Sequence, residues 1–60
     1  MKVSYDSKHD VLYLKFSEAK IVDTVEVAEG ILIDYGENGE IVGIEMINAS
    51  ALVKTNFLKK

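Results

Sequence analysis

Cysteine is absent from this 60-residue chain, and histidine occurs only once. Without cysteine there is no disulfide bond and no thiolate metal site. One histidine is also too few for a structural zinc site. We therefore expect no bound metal and no cofactor, so the fold has to be held by its own packing or by a partner chain.

Long apolar runs and an excess of positive charge are absent as well. The longest purely apolar run, Val11 to Leu14, is far too short for a membrane span. The first ten residues contain no apolar stretch of the kind that signal peptides carry. The net charge of −3 argues against general nucleic-acid binding, which draws most of its affinity from a basic face. We expect a cytoplasmic protein with no membrane and no nucleic-acid partner.

The chain length predicts one small domain over residues 1–60. A domain of this size buries only about 60% of the surface of its unfolded chain, so a partner subunit often completes it. Apolar residues make up 48% of the sequence, which is normal for a folded protein and argues against disorder.

The first third of the chain predicts an antiparallel hairpin. Lys2 to Asp6 alternates between apolar and polar residues, a short polar loop follows, and Asp10 to Phe16 is rich in strand-forming residues. With Asp6 placed opposite Asp10, one face carries two cross-strand pairs, Tyr5 with Val11 and Val3 with Tyr13. The other face carries three side chains of the second strand, namely Leu12, Leu14 and Phe16. A strand that is apolar on both faces is expected inside the sheet or at an interface.

The middle of the chain predicts a connecting strand from Ile21 to Ala28 and then a second hairpin. Its strands, Ile31 to Tyr35 and Ile41 to Ile47, flank an Asn38-Gly39 turn, which is a strong hairpin signal. One predicted face holds six side chains: Ile31, Ile33, Tyr35, Val42, Ile44 and Met46. The other holds Leu32, Asp34, Ile41, Gly43, Glu45 and Ile47. A bulge at Gly39 would change this register.

The C-terminal residues predict a short helix with Asn48 or Ser50 as its N-cap. Its apolar stripe consists of Ala49, Leu52, Val53 and Phe57, and its last residues include Lys54, Lys59 and Lys60. The predicted fold class is therefore α+β: an antiparallel sheet of four to five strands, made of two hairpins and a connecting strand, with the helix packed on one face.

A helix on one face leaves the other face without cover. The apolar side chains left there are Leu32, Ile41 and Ile47, with Asp34 and Glu45 beside them. An uncovered apolar patch marks an interface, and a closed two-fold dimer is the commonest way to bury one. These five residues are our interface candidates. The alternative is that they are scattered surface residues or that a curled sheet packs them.

Two segments, YDSKHDVLYLKF and GILIDYGENGEIVGIEMINAS, resemble the prokaryotic domain-of-unknown-function family numbered 2283. The elements of its pattern correspond here to Tyr5-Asp6, Asp10 to Tyr13, Gly30 with Asp34, Gly43 to Met46, and Ala49-Ser50. Gly36 and Asn48 depart from it, since the family usually has acidic residues there. The resemblance implies a small sheet-plus-helix domain and implies no activity.

Carboxylates occur in two places where they could act together. Asp6 and Asp10 flank the first turn with His9 between them, as in a loose metal site. With no second histidine or carboxylate triad, we interpret the aspartates as acceptors for turn amides and His9 as solvated. Asp34 and Glu45 share a face, where paired carboxylates can act as acid and base. We interpret them instead as a solvated rim or as structural acceptors, because the chain offers little from which to build a nucleophile–base pair.

Three tyrosines, Tyr5, Tyr13 and Tyr35, could line a small-molecule pocket, but tyrosines on strands more often pack at the core edge with the hydroxyl at the surface. The glycines form no phosphate-binding loop, because no Lys-Ser or Lys-Thr pair follows them. The sequence thus predicts no enzyme but a homodimeric interaction module. Two alternatives stay open: an antitoxin-like protein that neutralises a partner, and a binder of a metal or small ligand.

Overall fold

The computed structural model describes residues 1–53 and contains one sheet and one short helix. The five strands are β1 (Lys2–Asp6), β2 (Val11–Lys15), β3 (Asp23–Ala28), β4 (Ile31–Tyr35) and β5 (Ile41–Ile47), and the helix is α1 (Ala49–Leu52). All strand pairs are antiparallel, in the order β1-β2-β5-β4-β3. This confirms the predicted α+β sheet with a C-terminal helix.

Strand β5 joins the two parts of the sheet, since it pairs with β4 on one side and with β2 on the other. Strand β2 therefore lies inside the sheet, as its two apolar faces predicted, and Leu12 on it is only 6% exposed. The outer strands are β1 and β3, and every residue of both is exposed. Burial is thus concentrated on the inner strands.

The second hairpin has the predicted facing along most of its length. Gly39 has a φ of 78°, its amide donates to the Gly36 carbonyl at 3.1 Å, and the Gly36 amide donates to the Glu40 carbonyl at 2.9 Å. Glycine suits this left-handed position because it has no Cβ. Two pairs confirm the first predicted face, Ile31 with Met46 and Ile33 with Ile44. Asp34 with Gly43 and Leu32 with Glu45 confirm the second.

A register shift at the turn end of this hairpin changes the position of Ile41. The shift falls between Asp34 and Tyr35, so that Tyr35 pairs with Ile41. Because of this bulge, the alternation that places Gly43 and Glu45 on one face does not extend to Ile41.

The predicted register of the first hairpin is wrong by one residue. Tyr5 pairs with Leu12 and Val3 pairs with Leu14. Asp10 does not stand opposite Asp6, because it has a φ of 57° and belongs to the turn. A one-residue change in register moves each side chain to the other face relative to its partner strand.

With this register, one face of the sheet is almost entirely apolar. We call it the aliphatic face; its members are Val3, Tyr5, Leu12, Leu14, Asp23, Val25, Ile31, Ile33, Tyr35, Val42, Ile44 and Met46, of which Asp23 alone is charged. The opposite face, which we call the Tyr13 face, carries Lys2, Ser4, Asp6, Val11, Tyr13, Lys15, Thr24, Glu26, Leu32, Asp34, Gly43, Glu45 and Ile47.

Helix α1 lies at the end of the sheet where β2 and β4 begin. It starts one residue after β5, and the Ala49 amide donates to the Asp10 carbonyl at 2.9 Å. Asn48 occupies the N-cap position, as one of the two predictions had it, but makes no side-chain capping bond. Val53 follows the helix, whereas the predicted continuation through Phe57 and the three lysines lies outside the described residues. The described part of the chain has no helix that is long and apolar enough to cross a membrane.

Candidate functional site

Asp10 connects three segments that are distant in sequence. Its Oδ1 accepts from the Tyr5 hydroxyl at 2.5 Å, and its Oδ2 accepts from the Ser50 hydroxyl at 2.7 Å. The Ser50 amide lies 3.1 Å from Oδ1 and 3.2 Å from Oδ2. The bond from Tyr5, followed by those from Ser50, holds the pKa of Asp10 below its usual value. The β1–β2 turn therefore supplies the carboxylate cap that Asn48 does not give to α1.

The prediction that both turn aspartates accept from turn amides is right for Asp6 and wrong for Asp10. Asp6 Oδ1 accepts from the amides of Lys8 at 3.0 Å and His9 at 3.3 Å. Asp6 Oδ2 lies 2.8 Å from His9 Nδ1, and this bond lowers the pKa of Asp6. Because Asp10 faces Ser50 instead, the three side chains do not converge. Within residues 1–53, no three metal-ligating side chains come together.

A second hydrogen-bonded cluster crosses the Tyr13 face. The Tyr13 hydroxyl donates to Asp34 Oδ2 at 3.0 Å, and Thr24 Oγ1 donates to Asp34 Oδ1 at 2.7 Å. Burial, and then the bond to Asp34, raises the pKa of Tyr13. Both oxygens of Asp34 are thus occupied by structural donors from the strands β2 and β3.

Gly43 makes this cluster possible because Tyr13 reaches Asp34 across it. A Cβ at Gly43 would collide with the Tyr13 hydroxyl, and it would lie 2.8 Å from Tyr13 Cζ and 3.1 Å from the Leu14 carbonyl oxygen. Glycine in a strand interior marks such a close approach. The arrangement supports the interpretation of Asp34 as a structural acceptor.

The predicted interface candidates lie on β4 and β5. Leu32, Asp34, Glu45 and Ile47 share the Tyr13 face, and the bulge separates Ile41 from them. Ile41 and Ile47 are exposed, whereas the other three are partly buried. Whether these residues form an interface stays a prediction.

The larger candidate surface is the aliphatic face. The register predicted for the first hairpin placed its members on two different faces. Val3 is 56% exposed, Tyr5 41% and Val25 40%, and all three lie on the outer strands. The first hairpin has no Asn-Gly turn to fix its register, so the pairing of Tyr5 with Leu12 was not predicted. The residue that could have indicated the longer turn is Asp10, since aspartate tolerates the left-handed conformation better than most residues.

Comparison with known proteins agrees with the resemblance drawn from the motifs. A family model described as "Protein of unknown function (DUF2283)" matches residues 2–50. The uncharacterized protein MJ0789 of Methanocaldococcus jannaschii is 44% identical over 52 residues, which cover 87% of this chain. The chain spans 44% of the length of that relative. No solved structure matches.

Proposed function

Because the chain belongs to the DUF2283 family of proteins of unknown function, we propose a function from its surfaces alone: a non-catalytic interaction module that forms a homodimer through the aliphatic face. The observation that carries the proposal is the exposure of Val3, Tyr5 and Val25 on a face whose one charged strand residue, Asp23, stands at the start of an outer strand. The family description names no activity, so the surfaces of the sheet are what indicates a function.

A single sheet needs a second layer. Domains bury the apolar face of a sheet against another element, and the described helix has only four residues. Among the apolar side chains of the described strands, only Leu12 and Val42 are buried. A second copy supplies the missing layer as a sheet packed about 10 Å away.

The size of the face suits a weak dimer. Five strands about 4.8 Å apart, with a rise of about 3.3 Å per residue, give a plan area of roughly 450 Å². Two copies together bury about 1,000 Å², which is near the lower limit for a specific interface. We therefore expect a micromolar rather than a nanomolar dissociation constant, since area alone does not give affinity.

Charge favours the aliphatic face over the Tyr13 face as the self-contact. A two-fold interface places the same patch on both copies. The strands place six charged side chains on the Tyr13 face, the acidic Asp6, Glu26, Asp34 and Glu45 and the basic Lys2 and Lys15. Burial of these groups in an interface costs desolvation that imperfect pairing does not return. On the aliphatic face the strands place one charged side chain, Asp23, at the edge of the sheet.

The test is sedimentation equilibrium on a matched pair of variants. Val25→Glu places a charge on the aliphatic face, and Ile47→Glu places one at an equally exposed position on the Tyr13 face. We expect Val25→Glu to raise the dimer dissociation constant at least about 100-fold, because the charge is buried unpaired. Ile47→Glu should leave it within about threefold. A wild-type mass of one chain up to millimolar concentration would refute the proposal.

A second candidate function uses the Tyr13 face for a basic protein partner, as an antitoxin-like protein would. It is favoured by the carboxylates of Asp34, Glu45 and Glu26 beside the aliphatic side chains of Leu32 and Ile47. Among the described residues the ion pairs are His9–Asp6 and Lys15–Glu18, and neither involves this group. A purified basic partner should lose binding to Glu45→Lys and keep binding to Val25→Glu; the reverse pattern would exclude this surface.

The ligand-binding alternative is supported by a cleft beside α1. About 390 Å³ of space lies between the β3–β4 turn and α1, lined by Glu26, Glu29, Gly30, Ile47, Asn48 and Leu52. Glu26 already accepts from the Gly30 amide at 3.2 Å. NMR titration with divalent metals and a metabolite panel tests this alternative, and unchanged shifts at these six residues would remove it.

A further inference from the structure

We infer that docking of α1 is coupled to the occupation of the aliphatic face through the hydrogen bonds Tyr5–Asp10–Ser50. The second copy would then stabilise the docked helix, and the docked helix would strengthen the dimer. This inference rests on the proposed homodimer and concerns its regulation.

The three residues form a continuous link between the face and the helix. The Tyr5 ring lies on the aliphatic face opposite Leu12, and its hydroxyl donates to Asp10 at 2.5 Å. Asp10 in turn accepts from the amide and the hydroxyl of Ser50, in the first turn of α1. No other described side chain accepts from Ser50.

This link supplies the side-chain hydrogen bonds that dock the start of helix α1. An isolated helix of four residues does not persist in water, because nucleation costs more than so few bonds return. Asn48 makes no side-chain capping bond and itself has a φ of 59°. The docking contacts at Asp10 are its carboxylate with Ser50 and its carbonyl with the Ala49 amide. A turn of the Asp10 carboxylate toward water would therefore break the bonds to Ser50 and leave the Ala49 amide bond and the burial of Ala49 to hold the helix start.

Tyr5 is the member of the link that a partner would touch. It lies on the outer strand β1 and is 41% exposed, so in a single copy water competes for its hydroxyl and its ring is free on one side. A second sheet over the face restricts the ring and excludes water, which makes the bond to Asp10 more persistent. The Asp10 carboxylate is then held toward Ser50.

Thermodynamic linkage makes this coupling reciprocal. If dimerisation protects the helix by some factor, then loss of helix docking weakens the dimer by the same factor. A change at Ser50, which is not a member of the aliphatic face, should therefore alter dimer affinity. A purely local cap would have no such effect.

The first experiment follows hydrogen exchange of the Ser50 amide in the full chain by NMR, at concentrations below and above the dimer dissociation constant. From the monomer to the dimer, we expect the exchange protection factor of the Ser50 amide to rise about fivefold more than that of the Gly39 amide. The Gly39 amide serves as the control because it is a turn amide bonded to the Gly36 carbonyl. Equal protection of Ser50 in the monomer and in the dimer would overturn the coupling.

The second experiment measures dimer affinity in two matched pairs of variants. Ser50→Ala should raise the dissociation constant about fivefold, while Ser17→Ala, which loses a bond to the Ala19 amide in an exposed loop, should not. Tyr5→Phe should behave like Ser50→Ala and abolish the concentration dependence of Ser50 exchange. Tyr13→Phe loses the analogous bond to Asp34 and should keep that dependence.

The outcomes separate this inference from the proposed function. If wild type is a monomer at all concentrations, the homodimer fails and the coupling fails with it. If wild type dimerises but Ser50→Ala and Tyr5→Phe dimerise equally well, the homodimer stands and the coupling is wrong. Should Ser50→Ala not fold, Asp10→Asn provides the same comparison, because it removes one of the two carboxylate acceptors.

Discussion

The aliphatic face and the Tyr13 face differ in what holds their side chains in place. On the Tyr13 face, Tyr13, Thr24 and Asp34 bond to one another across β2, β4 and β3, over the gap that Gly43 leaves. On the aliphatic face the hydroxyl of Tyr5 donates to Asp10 at the end of the sheet. Apart from Asp23 and Tyr35 the rest of that face is aliphatic, and apolar packing needs a second layer.

This difference shows that polar residues in a small sheet need not mark chemistry. Asp10 and Asp34, which looked like acid or metal-ligating groups in the sequence, each accept from a tyrosine and from a hydroxyl residue. Each joins strands or turns that are far apart in the chain. The surface with the fewest polar groups, the aliphatic face, is the one for which we propose a second copy.

The largest effect we expect is from loss of packing on the aliphatic face. Leu12→Ala should lower the free energy of unfolding by about 2–5 kcal/mol, because Leu12 is buried and leaves a cavity. Ile47→Ala on the Tyr13 face should cost less than about 1 kcal/mol, since Ile47 is 44% exposed. Urea denaturation at one fixed protein concentration measures both. Equal losses would mean that the two faces are packed alike.

Gly43→Ala should cost about 1–3 kcal/mol of unfolding free energy, because the new methyl group meets the Tyr13 ring and the Leu14 carbonyl. The double variant with Tyr13→Leu should cost less than the sum of the single changes, since the ring is gone. Denaturation of all three variants gives the interaction energy. Strict additivity would show that Tyr13 does not lie over Gly43.

Tyr13→Phe should cost about 1 kcal/mol, the usual net value of a hydrogen bond, because it removes the donor to Asp34. Its dimer dissociation constant should match that of wild type. A weaker dimer in this variant would place the self-contact on the Tyr13 face.

The smallest effect is a loss of stability in acid. The folded pKa values of Asp6 and Asp10 lie below their usual value of 3.8, so their contribution is present above that pH and is lost as the pH falls through the folded pKa values. The midpoint temperature of thermal unfolding should therefore fall as the pH is lowered below about 4. Asp10→Asn should reduce this fall in midpoint temperature. An unchanged fall below about pH 4 in that variant would show that Asp10 does not contribute to the acid sensitivity.

The sequence predicted the second hairpin well and the first one poorly, for a physical reason. Asn38-Gly39 is a local turn signal, and the facing of Leu32, Asp34 and Glu45 followed from it. The first turn contains no glycine, and Asp10 in its left-handed conformation is bonded to Ser50, 40 residues away. A local sequence pattern cannot indicate a contact between residues 40 positions apart. The interface candidates therefore came from correct facing in one hairpin and an incorrect register in the other.

The capping of α1 illustrates the same limit. The helix start was predicted at Asn48 or Ser50 from local composition, and Asn48 does precede the helix. The side chain that caps it is that of Asp10, in the β1–β2 turn. Asp10 and Ser50, which it caps, both belong to the motifs that carry the family resemblance, and the fold gives them a structural role.

The central claim, that a second copy covers the aliphatic face, is tested most directly by isotope-filtered NOE spectroscopy on a mixture of labelled and unlabelled chains. The account predicts contacts between copies from the methyl groups of Leu14, Val25, Ile33 and Ile44, and none from those of Leu32 or Ile47. Intermolecular contacts confined to Leu32 and Ile47, or no intermolecular contacts at millimolar concentration, would contradict it.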